Sequence, residues 1–375
     1  MSLFNVYPLF NITPVKGKDV YIFEEDGTKY LDLYGGHAVI SIGHSHPTYV
    51  KNISKQVAEL GFYSNSIQNP LQTELANKIA TISGCKDYEL FLCNSGAEAN
   101  ENALKLASFH TNKKKVIAFK NGFHGRTSAA VATTDNQKII APINAQQEVE
   151  ILALGDLEGL EKALAKNDVC AVIIEFIQGV GGLEESTSEF YEGVDTLCKK
   201  YNACFIADEV QSGFGRTGDF FAFQKYNLTP DIISIAKGMG NGFPIGGILI
   251  HPNIKASFGL LGTTFGGNHL ACIASLSVLQ VLKEEKLMQN ALEISRYFLQ
   301  KSTTIPNLKT VKGRGLMLGL EFNFPIAELR KKLIFSHKIF TGSSKNPNLL
   351  RILPPLTIKK QHIDLFFDAL NSELS

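Results

Sequence analysis

The sequence predicts an α/β fold: a large domain with a mostly parallel sheet flanked by helices, joined to a small α+β domain drawn from both ends of the chain. Three observations carry the prediction. Between about residues 47 and 255, short apolar runs alternate with helical periodicity. The runs at 88–92, 115–119, 169–175, 203–208, 231–235 and 246–250 include several that are nearly continuous in Val, Ile, Leu and Phe. Strands covered on both faces read that way. Polar and Gly-rich segments follow these runs, at the strand ends where ligands of such sheets bind.

The elements follow in order. Val20–Phe23 and Tyr30–Leu33 flank Asp26-Gly27, which predicts a hairpin. Helical periodicity covers 70–82 and the segment after Ser95. Beyond about 268 come two long helical stretches, a Gly-rich hairpin region from Lys312 to Glu321, and a helical end. The expected layout is 1–45 as the first part of the small domain, 46–262 as the large domain and 263–375 as the rest of the small one.

Composition sets limits. A chain of 375 residues suggests two or three domains at about 150 residues each. With 44% apolar and 19% charged residues it is neither disordered nor fibrous. Lys plus Arg is 37 against 36 acidic residues, so no basic excess points to nucleic acid. No run approaches the ~18 apolar residues of a membrane span. The N-terminus has no cationic region before an apolar one, unlike a signal peptide. Six scattered cysteines without a CxxC pair read as reduced thiols in a cytoplasmic protein.

Several segments carry chemistry. Phe91–Asn100 (FLCNSGAEAN) ends a strand and opens a helix, so Ser95, Gly96 and Ala97 sit where free N–H groups and the helix dipole favour an anion. The plainer alternative is a Ser N-cap with Glu98 in the first turn. Asp208 ends the run ACFIAD; a buried carboxylate there wants a cation, a metal or a protonated heterocycle, or is a structural cap or ion pair. Lys237 follows another apolar run and precedes glycines, so desolvation would free its amine as a nucleophile. Gly213–Gly218 is a literal GxGxxG, but it does not begin at a strand end and no acidic residue follows ~20 residues on after a second strand. A structural turn fits better than a dinucleotide site. Arg126, in the segment FHGR, and Arg351, in RILPP, are suited to carboxylates. His44 and His46 lack a ligand cluster around them and read as turn-stabilising rather than metal-binding.

Together these segments resemble the class III pyridoxal-phosphate aminotransferases of fold type I. The matching pieces are DGTKYLDLYGGHAV, GHSHP, NSGAEANENALKLA, FHGRT, DEVQSGFGRTG, PDIISIAKGMGNGFPIGG, TTFGGN and RILPPL, spread over about residues 17–358. Within the family they look most like the acetylornithine type, ahead of the 4-aminobutyrate aminotransferases and glutamate-1-semialdehyde aminomutases, with ornithine and 4-aminobutyrate as alternative donors. The resemblance implies pyridoxal 5'-phosphate as cofactor, with Lys237 as the lysine that bonds to its aldehyde and Asp208 on its ring nitrogen. It also implies Gln211 near the ring hydroxyl, Phe123 on the ring face, and Ser95, Gly96 and Ala97 around the phosphate. Thr264 matches a threonine that reaches the neighbouring subunit's phosphate, which implies a homodimer with shared sites. Arg126 and Arg351 match the arginines that hold substrate carboxylates. The implied reaction passes a terminal amino group from an acylornithine to 2-oxoglutarate.

Two positions depart from the family pattern. Val180 stands where a Glu commonly pairs with the arginine matched by Arg351, and His37 replaces the usual Ile or Tyr beside the substrate. A lost carboxylate and a gained imidazole would both make the pocket less negative. That would suit an acyl group bearing its own carboxylate, as in N-succinylornithine.

Overall fold

The computed structural model describes residues 1–375. Its fourteen strands are β1 (Lys16–Lys18), β2 (Tyr21–Phe23), β3 (Lys29–Asp32), β4 (Glu89–Cys93), β5 (Lys115–Phe119), β6 (Val149–Leu152), β7 (Val169–Ile174), β8 (Cys204–Asp208), β9 (Ile232–Ile235), β10 (Gly246–Ile250), β11 (Leu308–Arg314), β12 (Met317–Phe322), β13 (Ile339–Phe340) and β14 (Leu349–Ile352). Seven of them form one sheet in the order β4-β10-β9-β8-β7-β5-β6. The pairs β6/β5, β5/β7, β7/β8 and β8/β9 are parallel. Only β10 runs against its neighbours β4 and β9. Six carboxyl ends therefore share one edge.

The centre of this sheet is dry. Every residue of β7, β8 and β9 is buried, as their continuous apolar runs require. Helix Gly96–Thr111 lies close on it because the residues turned inward are small: Ala99, Ala103 and Ala107. β6 has no counterpart among the apolar runs read from the sequence. It is an edge strand paired only to β5, half-buried throughout, and its VEIL alternates too briefly to stand out.

Two smaller sheets complete the chain, in the orders β1-β2-β3-β13 and β11-β12-β14. The hairpin expected around Gly27 is β2–β3, with Ile22 opposite Tyr30 and Gly27 at φ 87°. The Gly-rich region is β11–β12. β13 joins β3 in parallel, which ties the C-terminal part of the chain to the N-terminal part. Helix Pro70–Ser83 and helices His269–Glu284, Leu287–Ser302 and Lys360–Leu374 occupy the stretches with helical periodicity. No helix is long and apolar enough to cross a membrane.

Candidate active site

A cavity of about 330 Å³ opens over the shared edge of carboxyl ends. Asp208, the last residue of β8, stands on its floor and is 3% exposed. Its Oδ2 accepts from His124 Nδ1 at 2.7 Å and from Asn100 Nδ2 at 2.8 Å, and its Oδ1 accepts from Val210 N at 3.1 Å. Burial alone would push the His124 imidazole toward neutrality. The Asp208 hydrogen bond and charge outweigh it, so the His124 pKa is raised. The ring so held meets Asp208 as a hydrogen-bonded, buried ion pair.

Lys237 enters from the 3-10 turn Lys237–Met239, two residues past β9, with its backbone in the left-handed region at φ 47°. A non-glycine residue there stores strain that the surrounding structure must hold. Its Nζ makes no hydrogen bond within the chain. Burial lowers its pKa, against the opposing pull of Asp208 and Glu175, which increases the share of neutral amine.

Glu175, one residue past β7, is the second buried carboxylate. It accepts from Phe123 N and Gly179 N at 2.9 Å each, and burial raises its pKa. Those two bonds fix the loop that carries Phe123 and the turn that leads to Val180.

At the other end, Ser95 Oγ accepts from Glu98 N at 3.1 Å, while Glu98 Oε2 accepts from Asn94 N at 2.9 Å. The plain N-cap reading is therefore realised. It leaves the N–H groups of Gly96 and Ala97, which begin the helix, without an acceptor in the chain. A Cβ on Gly96 would meet Val210 Cγ1 at 2.5 Å, so this cradle needs glycine.

Nine of the twelve residues singled out in the sequence line the cavity: Ser95, Gly96, Ala97, Phe123, Arg126, Val180, Asp208, Gln211 and Lys237. Arg351, His37 and Thr264 do not. Arg351, in β14, is buried behind Gly179, next to Val180; its Nη1 donates to Gly179 O at 2.7 Å and its Nε to Ser343 O at 2.6 Å. Its guanidinium carbon lies 5.8 Å from the Tyr34 ring centre. Burial lowers its pKa, yet a guanidinium stays protonated, and no carboxylate pairs with it. Arg126 is exposed on its loop and pairs with nothing. Thr264 is exposed between β10 and helix His269–Glu284.

His37 corrects the charge expected of it. Its Nδ1 lies 2.5 Å from Tyr34 Oη, and its pKa is pushed down to about 4 by partial burial and then by Arg351, Lys237 and Arg330. The ring is neutral at pH 7 and adds no positive charge to the pocket. The histidines of GHSHP pair with carboxylates on separate elements: His44 with Asp32 at 2.8 Å and His46 with Glu285 at 2.9 Å.

Three residues that sequence reasoning passed over hold the floor in place: His124, Asn100 and Glu175. The one usable signal was Asp208 itself, since a buried carboxylate demands partners. Gln211 is buried with Oε1 unpartnered, and its Nε2 lies 3.4 Å from His37 O. An unpaired amine, an unpartnered amide oxygen and two free N–H groups around one cavity fit a phosphate-bearing aldehyde with a protonatable ring.

The model of the family described as aminotransferase class-III matches residues 5–374. The chain belongs to the class-III aminotransferases. Among curated class-III relatives, the acetylornithine aminotransferase of Bacillus subtilis (strain 168) is 38% identical over 368 residues, covering 96% of this chain and 94% of that protein. That of Aquifex aeolicus is 38% identical over 382 residues, covering 99% of each. Among solved class-III structures, the acetylornithine aminotransferase of Elizabethkingia anophelis superposes with a TM-score of 0.83 at 27% identity, over 99% of this chain and 95% of that one. The ornithine aminotransferase of Toxoplasma gondii ME49 gives 0.90 at 26% identity, over 98% and 91%. Another structure of the Toxoplasma gondii enzyme, 27% identical, has PLP in partial occupancy at its active site. The α/β class read from the apolar runs is thus the architecture of this family.

Proposed function

We propose that this aminotransferase transfers the terminal amino group of N2-acetyl-L-ornithine to 2-oxoglutarate, giving N-acetylglutamate 5-semialdehyde and glutamate, with pyridoxal 5'-phosphate as cofactor. The observation that carries the chemistry is the pairing, in one cavity, of an unpartnered Lys237 amine with an Asp208 carboxylate held by three donors. The choice of donor draws on the full-length likeness to acetylornithine aminotransferases.

Pyridoxal phosphate, when bound, supplies an electron sink for the charge left on a substrate carbon that loses a proton. The chain's own residues do the rest. Asp208 would hold the ring nitrogen protonated through a charge-assisted bond of about 1.5–3 kcal/mol. Ser95 and the N–H groups of Gly96 and Ala97 would take the phosphate. Phe123 would cover one ring face and Gln211 would sit by the ring hydroxyl. Lys237 would hold the cofactor through its aldehyde, and its free amine would move the proton at the reacting substrate carbon. Arg126 would bind the α-carboxylate of the acylornithine, and Arg126 with Arg351 the two carboxylates of 2-oxoglutarate.

We also read the protein as a cytoplasmic homodimer, with residues 1–45 and 263–375 forming the small domain. All six cysteines are free, and five of them are buried. The surface around Thr264 exposes Phe62, Tyr63, Ile67, Phe258 and Phe265, an apolar area suited to a second copy that would receive this threonine at its own phosphate site.

N-succinylornithine is the second reading. It is favoured by Val180, which leaves Arg351 with no carboxylate partner. Steady-state glutamate formation with N-acetylornithine, N-succinylornithine, ornithine and 4-aminobutyrate as donors tests both. The highest kcat/KM is expected for N-acetylornithine. A lead for the succinyl compound would replace the acyl group in this reading, and a lead for either of the last two donors would overturn it.

A further inference from the structure

Besides Arg351, a second buried cation has no counter-charge in contact. Arg216, in the turn that follows β8, is 2% exposed and forms no ion pair. Its Nη1 donates to Leu316 O at 3.2 Å and to Pro354 O, while its own carbonyl accepts from Leu316 N at 2.8 Å. Burial lowers its pKa and the nearby Asp32 charge partly restores it. A guanidinium in such a place costs far more than an apolar side chain of equal volume. Packing alone does not require it.

The two carbonyls it holds mark the two strands that present Arg351. Leu316 is in the β11–β12 turn, and Gly319 of β12 pairs with Arg351 of β14. Pro354 lies three residues beyond Arg351, on the exit from β14. Gly315, at φ 59°, lies so close that a Cβ on it would meet Thr217 C at 2.4 Å and Arg216 O at 2.5 Å. The same corner braces the ring beneath Arg351. Asp32 Oδ1 accepts from Tyr34 N and Gly35 N at 2.9 and 2.8 Å, and Leu353 N donates to Leu33 O at 2.7 Å. The turn after β8 also begins two residues from Asp208. Arg216 therefore connects the strand end that carries Asp208 to the strand that carries Arg351.

We infer that Arg216 is a positioning residue: it sets β14 against the sheet so that the Arg351 guanidinium meets a substrate carboxylate. The inference rests on the reading of Arg351 as a carboxylate holder for 2-oxoglutarate. Its consequence is selective. The half-reaction with 2-oxoglutarate needs Arg351; the half-reaction with the acylornithine places its carboxylate on Arg126, far from this brace in the chain.

The test uses the holoenzyme and separates the halves. Arg216→Met and Arg216→Lys are loaded with pyridoxamine phosphate and mixed with 2-oxoglutarate, or loaded with pyridoxal phosphate and mixed with N-acetylornithine. The half-saturating concentration of 2-oxoglutarate should rise at least tenfold in Arg216→Met and less in Arg216→Lys. That of N-acetylornithine should stay within twofold, and so should its limiting rate. Gly315→Ala presses on the same contact from the hairpin side and should give the same split, which keeps the test open should Arg216→Met not fold. Equal losses in both halves, tracking a fall in Tm, would mean a merely structural role and overturn the inference. Failure of the wild type with N-acetylornithine would remove the proposed donor but not this test, because the 2-oxoglutarate half is read without any donor: an unchanged half-saturation there in Arg216→Met would also overturn it.

Discussion

On the sheet side of the cavity both buried carboxylates are answered within the chain. Asp208 takes His124, Asn100 and Val210 N; Glu175 takes Phe123 N and Gly179 N. The arginines differ: Arg351, in β14, meets only two carbonyls and a tyrosine ring, and Arg126, exposed on the loop after β5, pairs with nothing. The two carboxylates are answered without substrate, and each arginine is left without a counter-charge. A buried cation without an anion is costly to the fold. A substrate carboxylate that relieves the deficit gains affinity from it, less the cost of its own desolvation. The difference separates what holds a cofactor permanently from what must release a product each turnover.

The contrast can be broken at its strongest point first. Lys237→Ala should cut glutamate formation by at least ~10³-fold, because it removes the group that moves the proton. The protein should still fold, since the Lys237 amine makes no hydrogen bond to lose. Asp208→Ala should do damage of a different kind. It strands the buried His124 and should cost about 3–5 kcal/mol of stability as well as activity, measured by urea unfolding. Arg351→Met acts on an arginine left without a counter-charge. It should raise KM for 2-oxoglutarate by ~10–100-fold, the loss of a charged hydrogen bond worth about 1.5–3 kcal/mol, and leave the fold intact.

Two histidines give the comparison a sign. The His124 pKa is raised in the fold, so its contribution to stability is full below the unfolded value of about 6.5 and fades as pH rises through the folded pKa. The penalty of His124→Asn should therefore shrink as unfolding is measured at increasing pH. The His37 pKa falls to about 4, so between about 4 and 6.5 the unfolded chain binds more protons and stability climbs with pH. His37→Ile should flatten that climb. Its effect on kcat/KM for N-acetylornithine at pH 7 should be the smallest of all, about twofold or ~0.5 kcal/mol.

The same contrast explains how much could be read in advance. Sheet-side residues were legible because each ends or closely follows its own apolar run: Ser95 after β4, Asp208 at the end of β8, Lys237 after β9. What was missed depends on partners distant in sequence. His124 meets Asp208 from 84 residues away, and Arg216 reaches carbonyls 100 and 138 residues on. GFGRTG could be read as a turn, but nothing local says what the arginine inside it grips. The charge of His37 was misjudged for the same reason: its partial burial, and then the charges of Arg351, Lys237 and Arg330, come only with the fold. Thr264 does not line this chain's own cavity.

The central claim is that Lys237 and Asp208 serve an acylornithine in this cavity, and a single half-reaction tests it most directly. Holoenzyme is mixed with N-acetylornithine in the absence of any oxo acid, and the visible absorption of the bound cofactor is followed alongside the release of N-acetylglutamate 5-semialdehyde. The account predicts loss of the band with one equivalent of semialdehyde per site, recovery on adding 2-oxoglutarate, and no change in Lys237→Ala. A band that N-acetylornithine leaves untouched in the wild type would contradict it.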